Sequence, residues 1–307
     1  MKTPRDLLDF FTIYPTAAAC CDALIESRWP DGFRCPVCGN SRAYWVKRGA
    51  LFECAACGQQ TSPTAGTIFH KTKTSLQKWF LAIYLLSATK KAMSASELAR
   101  QLRVAYATAW TMRRKIIQAM TRHEGELMLQ GRVEFDETLL GGYESGKPGR
   151  GSDHKAVIAV AVERTSNNKG CRRAHLCVVP DASEPSLVGV ATATIAPGST
   201  ILTDGWSSYQ GLADKGFTHR PKVLGSPQNA VKVLPWAHLM ISNFKRWIVD
   251  IFHGVSAKHL QGYLDEFCYR LNRRWQRTDI FRRVLNRCAR YTTPVSYAQL
   301  TAPEKIR

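Results

Sequence analysis

Three rhythms of apolar and polar positions follow one another along the chain, and each predicts a different kind of structure. Residues 1–70 are short-patterned and punctuated by Cys, Gly and Pro. Residues 71–125 carry helical spacing throughout. Leu76 to Leu86 (LQKWFLAIYLL) is apolar on nearly every side, as a core helix is. Ser94 followed by Glu97 forms a capping box. It opens a helix over 95–102 that buries Leu98, Ala99 and Leu102. A break at Arg103–Ala105 separates this from a second helix over about 106–120. That helix carries Thr108, Thr111, Arg113, Arg114 and Lys115 on its polar side. A short helix, a tight turn and a basic second helix make a helix-turn-helix, which places its second helix in the DNA major groove.

From residue 128 the rhythm changes to strands. Arg132-Val-Glu-Phe-Asp136 alternates, His154 to Glu163 is a near-continuous apolar run, and Ala174 to Val179 is a third strand. A helix over Glu184–Thr194 follows, then a short strand, Ser199 to Asp204, with a helical stretch (Ser207 to Lys215) behind it. Gly141 to Ser152 (GGYESGKPGRGS) reads as a hairpin-tip loop. Three antiparallel strands, a helix and a further strand give an α/β, RNase H-like order, a mixed sheet flanked by helices. The ends of the first and fourth strands are then neighbours, so Asp136 and Asp204 converge. The expected boundaries are a zinc ribbon with an N-terminal helix over 1–70, a helix-turn-helix region over 71–125, a catalytic domain over 128–280 and a basic tail over 281–307.

Charge adds a partner. The 307 residues carry 43 Lys and Arg against 24 Asp and Glu, a net +19. A surplus of that size attracts a polyanion by counterion release, and double-stranded DNA is the partner it predicts. Membrane is the rival. The longest apolar candidate, Trp79 to Ala88, is about half the roughly 20 residues of a spanning helix, and MKTPRDLLDFF has no apolar signal core. The expectation is a cytoplasmic, nucleoid-associated protein with no membrane contact. Between 245 and 290 a run of cations (Lys245, Arg246, Lys258, Arg270, Arg273, Arg274 and others) alternates with Trp247, Tyr269 and Trp275, as a groove for a DNA backbone does.

Ten cysteines in a cytosolic chain do not predict a disulfide framework. Four of them form two Cys-x-x-Cys pairs, Cys35/Cys38 and Cys54/Cys57, with 15 residues between. Two thiolates at i and i+3 on a Gly-closed turn point at one ion, and the second pair completes a tetrahedral Cys₄ shell. With every position filled, the Zn²⁺ is structural. Two acids at adjoining strand ends suit a different metal chemistry. Phosphodiester attack needs a nucleophile deprotonated near neutral pH and a stabilised leaving oxygen. Two Mg²⁺ or Mn²⁺ ions about 3.5–4 Å apart, held by carboxylates, supply both.

Asp136-Glu-Thr-Leu-Leu-Gly-Gly, Leu202-Thr-Asp204-Gly-Trp-Ser-Ser-Tyr, His253 to Arg274, and Gly66-Thr-Ile-Phe-His after the ribbon resemble the ISXO-type insertion-sequence transposases. The resemblance runs from about residue 10 to 280. It implies a zinc ribbon joined to a DDE-type, RNase H-like domain, with Asp136 and Asp204 as the first two catalytic carboxylates. The family carries Glu, or in some members Asn or His, seven residues before a Lys; here these are His238 and Lys245. Seven residues are two helical turns, so the pair shares a face. A His offers one nitrogen where Glu offers two oxygens, and suits Mn²⁺ better than Mg²⁺. Asn243, Asp265 and Glu266 are the alternative third ligands. The resemblance further implies binding to terminal inverted repeats, strand cleavage and strand transfer, and a homodimer or larger assembly. The rival function is a non-catalytic DNA-binding regulator derived from a transposase.

Overall fold

The structure is a computed structural model, and it describes residues 2–88, 92–122, 127–141, 155–222, 230–253, 255–275, 279–290 and 297–301. The predicted loop at 141–152 lies outside these, apart from Gly141. The chain divides into two compact units: residues 1–120 with 275–301, and residues 121–274.

The first unit begins with helices α1 (Leu7–Ile13) and α2 (Ala17–Arg28), each N-capped by its preceding side chain, Asp6 onto the Asp9 amide and Thr16 onto the Ala19 amide. Strands β1 (Ala43–Val46), β2 (Leu51–Cys54) and β3 (Gln60–Thr61) form a small antiparallel sheet. Helices α3 (Leu76–Ala88), α4 (Ala95–Leu102) and α5 (Tyr106–Thr121) follow. Ser94 accepts the Glu97 amide as the capping box predicts, and Arg103 ends α4 in the left-handed region.

Residues 281–307, expected as a basic tail, contain a structured helix. Helix α10 (Ile280–Arg290) buries Phe281, Val284, Leu285 and Cys288 in the first unit. The Phe281 ring lies 5.7 Å from Tyr14, 6.3 Å from Tyr84, and 6.5 Å from both Phe10 and Phe80. Its apolar positions recur at helical spacing, and the arginines between them masked that stripe in a reading weighted by charge. Phe281→Ala removes the centre of this aromatic cluster and should destabilise the first unit by about 3–5 kcal/mol. Urea unfolding checks this through a lowered midpoint at unchanged m-value.

The second unit is a five-stranded sheet in the order β6-β5-β4-β7-β8. Its strands are β4 (Arg132–Leu140), β5 (Ala156–Arg164), β6 (Cys171–Val179), β7 (Thr200–Thr203) and β8 (Thr218–Pro221). The first three pair antiparallel, and β7 and β8 run parallel to β4. That order and direction is RNase H-like. β5 is buried on both faces, which explains its near-continuous apolar run. On one face, α6 (Glu184–Thr194) and the 3₁₀ stretch Ser207–Lys215 pack over Val133, Phe135, Ala159 and Ala161. On the other lie the single turn α7 (Ala230–Val233), α8 (Pro235–Phe252) and α9 (Leu260–Asn272), over Ile158, Val160, Val162 and Leu176. The edge strand β6 is covered as well. Gln261 and Asn272 of α9 bond the backbones of Leu176, Val178 and Ala174. Among the described residues no single helix is long and apolar enough to cross a membrane.

Candidate active site

Asp136 lies on β4 and Asp204 directly follows β7. The parallel register pairs Glu134 with Leu202, which brings Asp136, two residues further along β4, and Asp204, just past the end of β7, to the same end of this strand pair. Asp136 is 7% exposed, and its Oδ1 accepts the Glu137 amide at 3.0 Å. Asp204 is half-buried, and its Oδ1 accepts the Trp206 amide at 3.0 Å in a turn over Gly205, whose φ is 86°. Only glycine adopts that φ at no steric cost, so this turn fixes the carboxylate at the strand end.

His238, on α8, places Nε2 3.6 Å from Asp136 Oδ2. Burial lowers its pKa, and the Asp204 charge opposes that shift. Burial thus favours the uncharged imidazole, the form that ligates a metal. The hydroxyl of Tyr209, itself bonded to Glu137, has its pKa pushed far up, first by burial and then by Glu137, Asp136 and Asp204. Negative charge is thus concentrated here, and Asp136, Asp204 and His238 form a hard O/N donor set that fits Mg²⁺ or Mn²⁺.

Helix α8 reaches the site through β4. Pro235 starts it, and Ala237, Met240, Ile241, Phe244 and Ile248 form its buried stripe. Its first amides are capped from the sheet: Glu134 Oε2 accepts from both Trp236 and Ala237 at 2.8 Å. Glu134 is fully buried, and Arg164 contacts its other oxygen at 2.6 Å. Burial raises the Glu134 pKa against those partners. Lys245 is half-buried, with its pKa lowered by burial.

The alternative third ligands have surroundings of their own. Asn243 is exposed, roughly 140° around α8 from His238. Asp265 accepts from Gln261 at 2.7 Å. Glu266 is fully buried and pairs with Arg270 at 2.8 Å.

The four ribbon thiols converge, with all Sγ atoms within 4.8 Å of one another. Cys35 and Cys57 are 3.6 Å apart, and Cys38 and Cys54 3.5 Å. A tetrahedral ion with bonds of about 2.3 Å spaces its sulfurs at about 3.8 Å, so the set fits zinc. Amides of Cys57 and Ala56 hold the Cys54 thiol down to about 6, and the Cys38 amide does most to lower Cys35. Among the described residues, Asp136, Asp204 and His238 do not converge as tightly as the thiols; a pair of ions spans a wider donor set.

The expected DNA-binding residues divide. Thr108, Thr111 and Lys115 are half-buried on α5, with the Lys115 ammonium 3.5 Å from the Ile68 carbonyl. Arg113 and Arg114 are not on the polar face: they are 3% and 5% exposed, and Arg113 donates to the Met93 carbonyl at 2.8 Å. The exposed residues of α5 are instead Tyr106 and Ala107 at its start and Gln118 near its end. Arg246 is exposed. Arg273 is 8% exposed and stacks on Tyr269 at 4.1 Å. Arg274 donates to the carbonyls of Leu271, Arg172 and Cys171. Arg287 and Arg290 bond the carbonyls of Met120 and Ser27. Much of the apparent basic groove thus serves packing, because guanidinium groups satisfy helix ends and loop carbonyls as readily as phosphate. Sequence reading missed Glu134, although two acids at i and i+2 on one strand face, Glu134 and Asp136, were visible in the alternation.

Residues 128–272 match the ISXO2-like transposase domain, and residues 15–60 match the transposase zinc-ribbon domain. An uncharacterized protein in the transposable element ISH50 of Halobacterium salinarum is 26% identical over 265 residues, spanning 80% of this chain and 87% of the relative. Among solved structures, a pre-cleavage Mos1 transpososome covers 67% of this chain and 76% of its own at 14% identity, with a TM-score of 0.26. A Mos1 transposase paired-end complex with the left transposon end covers 60% and 73% at 15% identity, with a TM-score of 0.24. Ribbon and sheet each match a domain of one transposase type, which makes this chain similar to the ISXO2-like insertion-sequence transposases.

Proposed function

We propose that this protein binds the terminal inverted repeats of its insertion sequence as double-stranded DNA and catalyses strand cleavage and strand transfer at Asp136, Asp204 and His238. What supports this reading is the His238 imidazole 3.6 Å from Asp136, with Asp204 just past the neighbouring strand and its charge felt by both His238 and Tyr209. Asp136, Asp204 and His238 would hold two Mg²⁺ or Mn²⁺ ions. Bound there, the ions activate water or a 3′-hydroxyl and stabilise the leaving oxygen. Lys245, two turns along α8 from His238, binds a phosphate beside them. An in-line displacement of this kind needs no covalent enzyme intermediate.

The DNA is held outside the site. Arg34, Arg42, Lys47 and Arg48 are exposed on the ribbon around Tyr44 and Trp45. In the helix-turn-helix reading, base edges meet the N-terminal part of α5, where Tyr106 and Ala107 are exposed. Thr108, Thr111 and Lys115 support this contact, and Arg246 meets the backbone. Two element ends are processed together, which calls for a homodimer or larger assembly in the cytoplasm, on the nucleoid.

Purified protein should nick supercoiled plasmid carrying the element ends in Mn²⁺, and should join pre-cut ends to a target. Cutting without joining would mark a nuclease; DNA binding without either would mark a regulator. His238→Ala should lower Mn²⁺-dependent cleavage by about 10–100-fold, whereas His238→Glu should move the metal preference toward Mg²⁺. Rates in the two metals, compared across the three proteins, check both outcomes.

A further inference from the structure

We infer that Glu134 is a positioning residue that sets the distance between Asp136 and His238, an inference that rests on the active-site reading above. Glu134 and Asp136 point from the same face of β4, one strand period or about 6.7 Å apart. Glu134 Oε2 accepts the amides of Trp236 and Ala237 at 2.8 Å each. One residue further along α8, His238 Nε2 stands 3.6 Å from Asp136 Oδ2. The strand and the helix are thus joined by two successive rungs, one structural and one at the site.

The apolar stripe of α8 cannot set that spacing alone. Packing of Ala237, Met240 and Ile241 on the sheet is non-directional and tolerates small slides and rotations. Two amides aimed at one carboxylate oxygen fix the helix start both along and around its axis. Arg164 fixes the carboxylate in turn, through its Nε at 2.8 Å and its Nη2 at 2.6 Å from Oε1. Those helix-start amides have no intrahelical partner, and Glu134 is where their bonds go. A displacement of about 1 Å in a catalytic group costs about 10²-fold in rate, so a lost rung should appear in chemistry while DNA binding is unchanged.

Two double variants isolate the cap from the ion pair. Glu134→Ala with Arg164→Met removes both the cap and the pair. Glu134→Gln with Arg164→Met removes the pair but keeps a carbonyl oxygen for the amides. At saturating end DNA in Mn²⁺, the Ala variant should cleave about 10²-fold more slowly and need several-fold more Mn²⁺ for half-saturation, at unchanged DNA Kd. The Gln variant should stay within about 3-fold of wild type on both measures. A purely structural role would lower the melting temperature of both variants alike and leave the Mn²⁺ requirement alone. Wild-type cleavage in the Ala variant, or equal impairment of the two, overturns the inference. If the Ala variant does not fold, Glu134→Gln with Arg164 intact carries the test. Its side-chain amide meets one set of donors head-on, so the Mn²⁺ requirement should rise, and an unchanged requirement overturns the inference. Asp204→Ala run alongside must be inactive; cleavage by that variant would sink the active-site reading itself, whatever Glu134 does.

Discussion

Asp136→Ala and Asp204→Ala should each abolish metal-dependent cleavage of element ends, a loss of about 10³-fold or more, while inverted-repeat binding is unchanged. On the proposed reading each carboxylate would contribute ligand oxygens and half of the paired charge that retains the ions, and metal stabilisation of the transition state is worth several kcal/mol. Neither variant should lose stability in proportion. The two acids belong to adjacent parallel strands or their ends, and Tyr209 feels the charge of both. Removing one relieves a like-charge repulsion, so the melting temperature should hold or rise. Gel-based nicking with a parallel melt measures both effects. Wild-type nicking by both variants, with a metal requirement intact, would place the chemistry elsewhere in the chain.

Stripping zinc, or replacing Cys54 with Ser, should unfold the ribbon. Its own core is small: Phe33, Cys35 and Cys54 are buried, with Trp29, Ala43 and Phe52 packed against them. A cluster of that size does not offset the conformational entropy of ordering the three short strands, so the metal must supply the difference. The expected result is loss of one zinc per chain and a fall of about 10³-fold or more in the hydrogen-exchange protection of the β1–β2 amides. Protection that survives complete chelation would mean the thiols are not a structural metal site. Specific recognition of the inverted repeats should fall with it if the ribbon contacts DNA, and nicking of non-specific plasmid in Mn²⁺ should persist.

How much of this was legible beforehand follows from how local each feature is. The two knuckles were readable because Cys35/Cys38 and Cys54/Cys57 are each spaced to ligate together whatever surrounds them. Strand β4 was readable because Val133 and Phe135 alternate with Glu134 and Asp136, and α6 was placed at Glu184–Thr194 by its pattern. Arg113 and Arg114 were misplaced because a cation in a helix looks solvated until the neighbouring chain is known. The Met93 carbonyl that takes Arg113 lies 20 residues away in sequence.

By itself, the sequence determined the two matched cysteine pairs, the order of the first four strands of the second unit and the helix α6 between them, and Asp204 just past β7; Asp136, expected at a strand end, lies midway along β4. These depend on spacing along the chain and on side-chain chemistry. Only the tertiary structure decided which arginines are packed inside, that α10 closes the first unit, and that Glu134 caps the helix bearing His238. Those depend on which distant backbone groups need a partner, and a buried amide or carbonyl takes its hydrogen bond from whatever the fold brings to it.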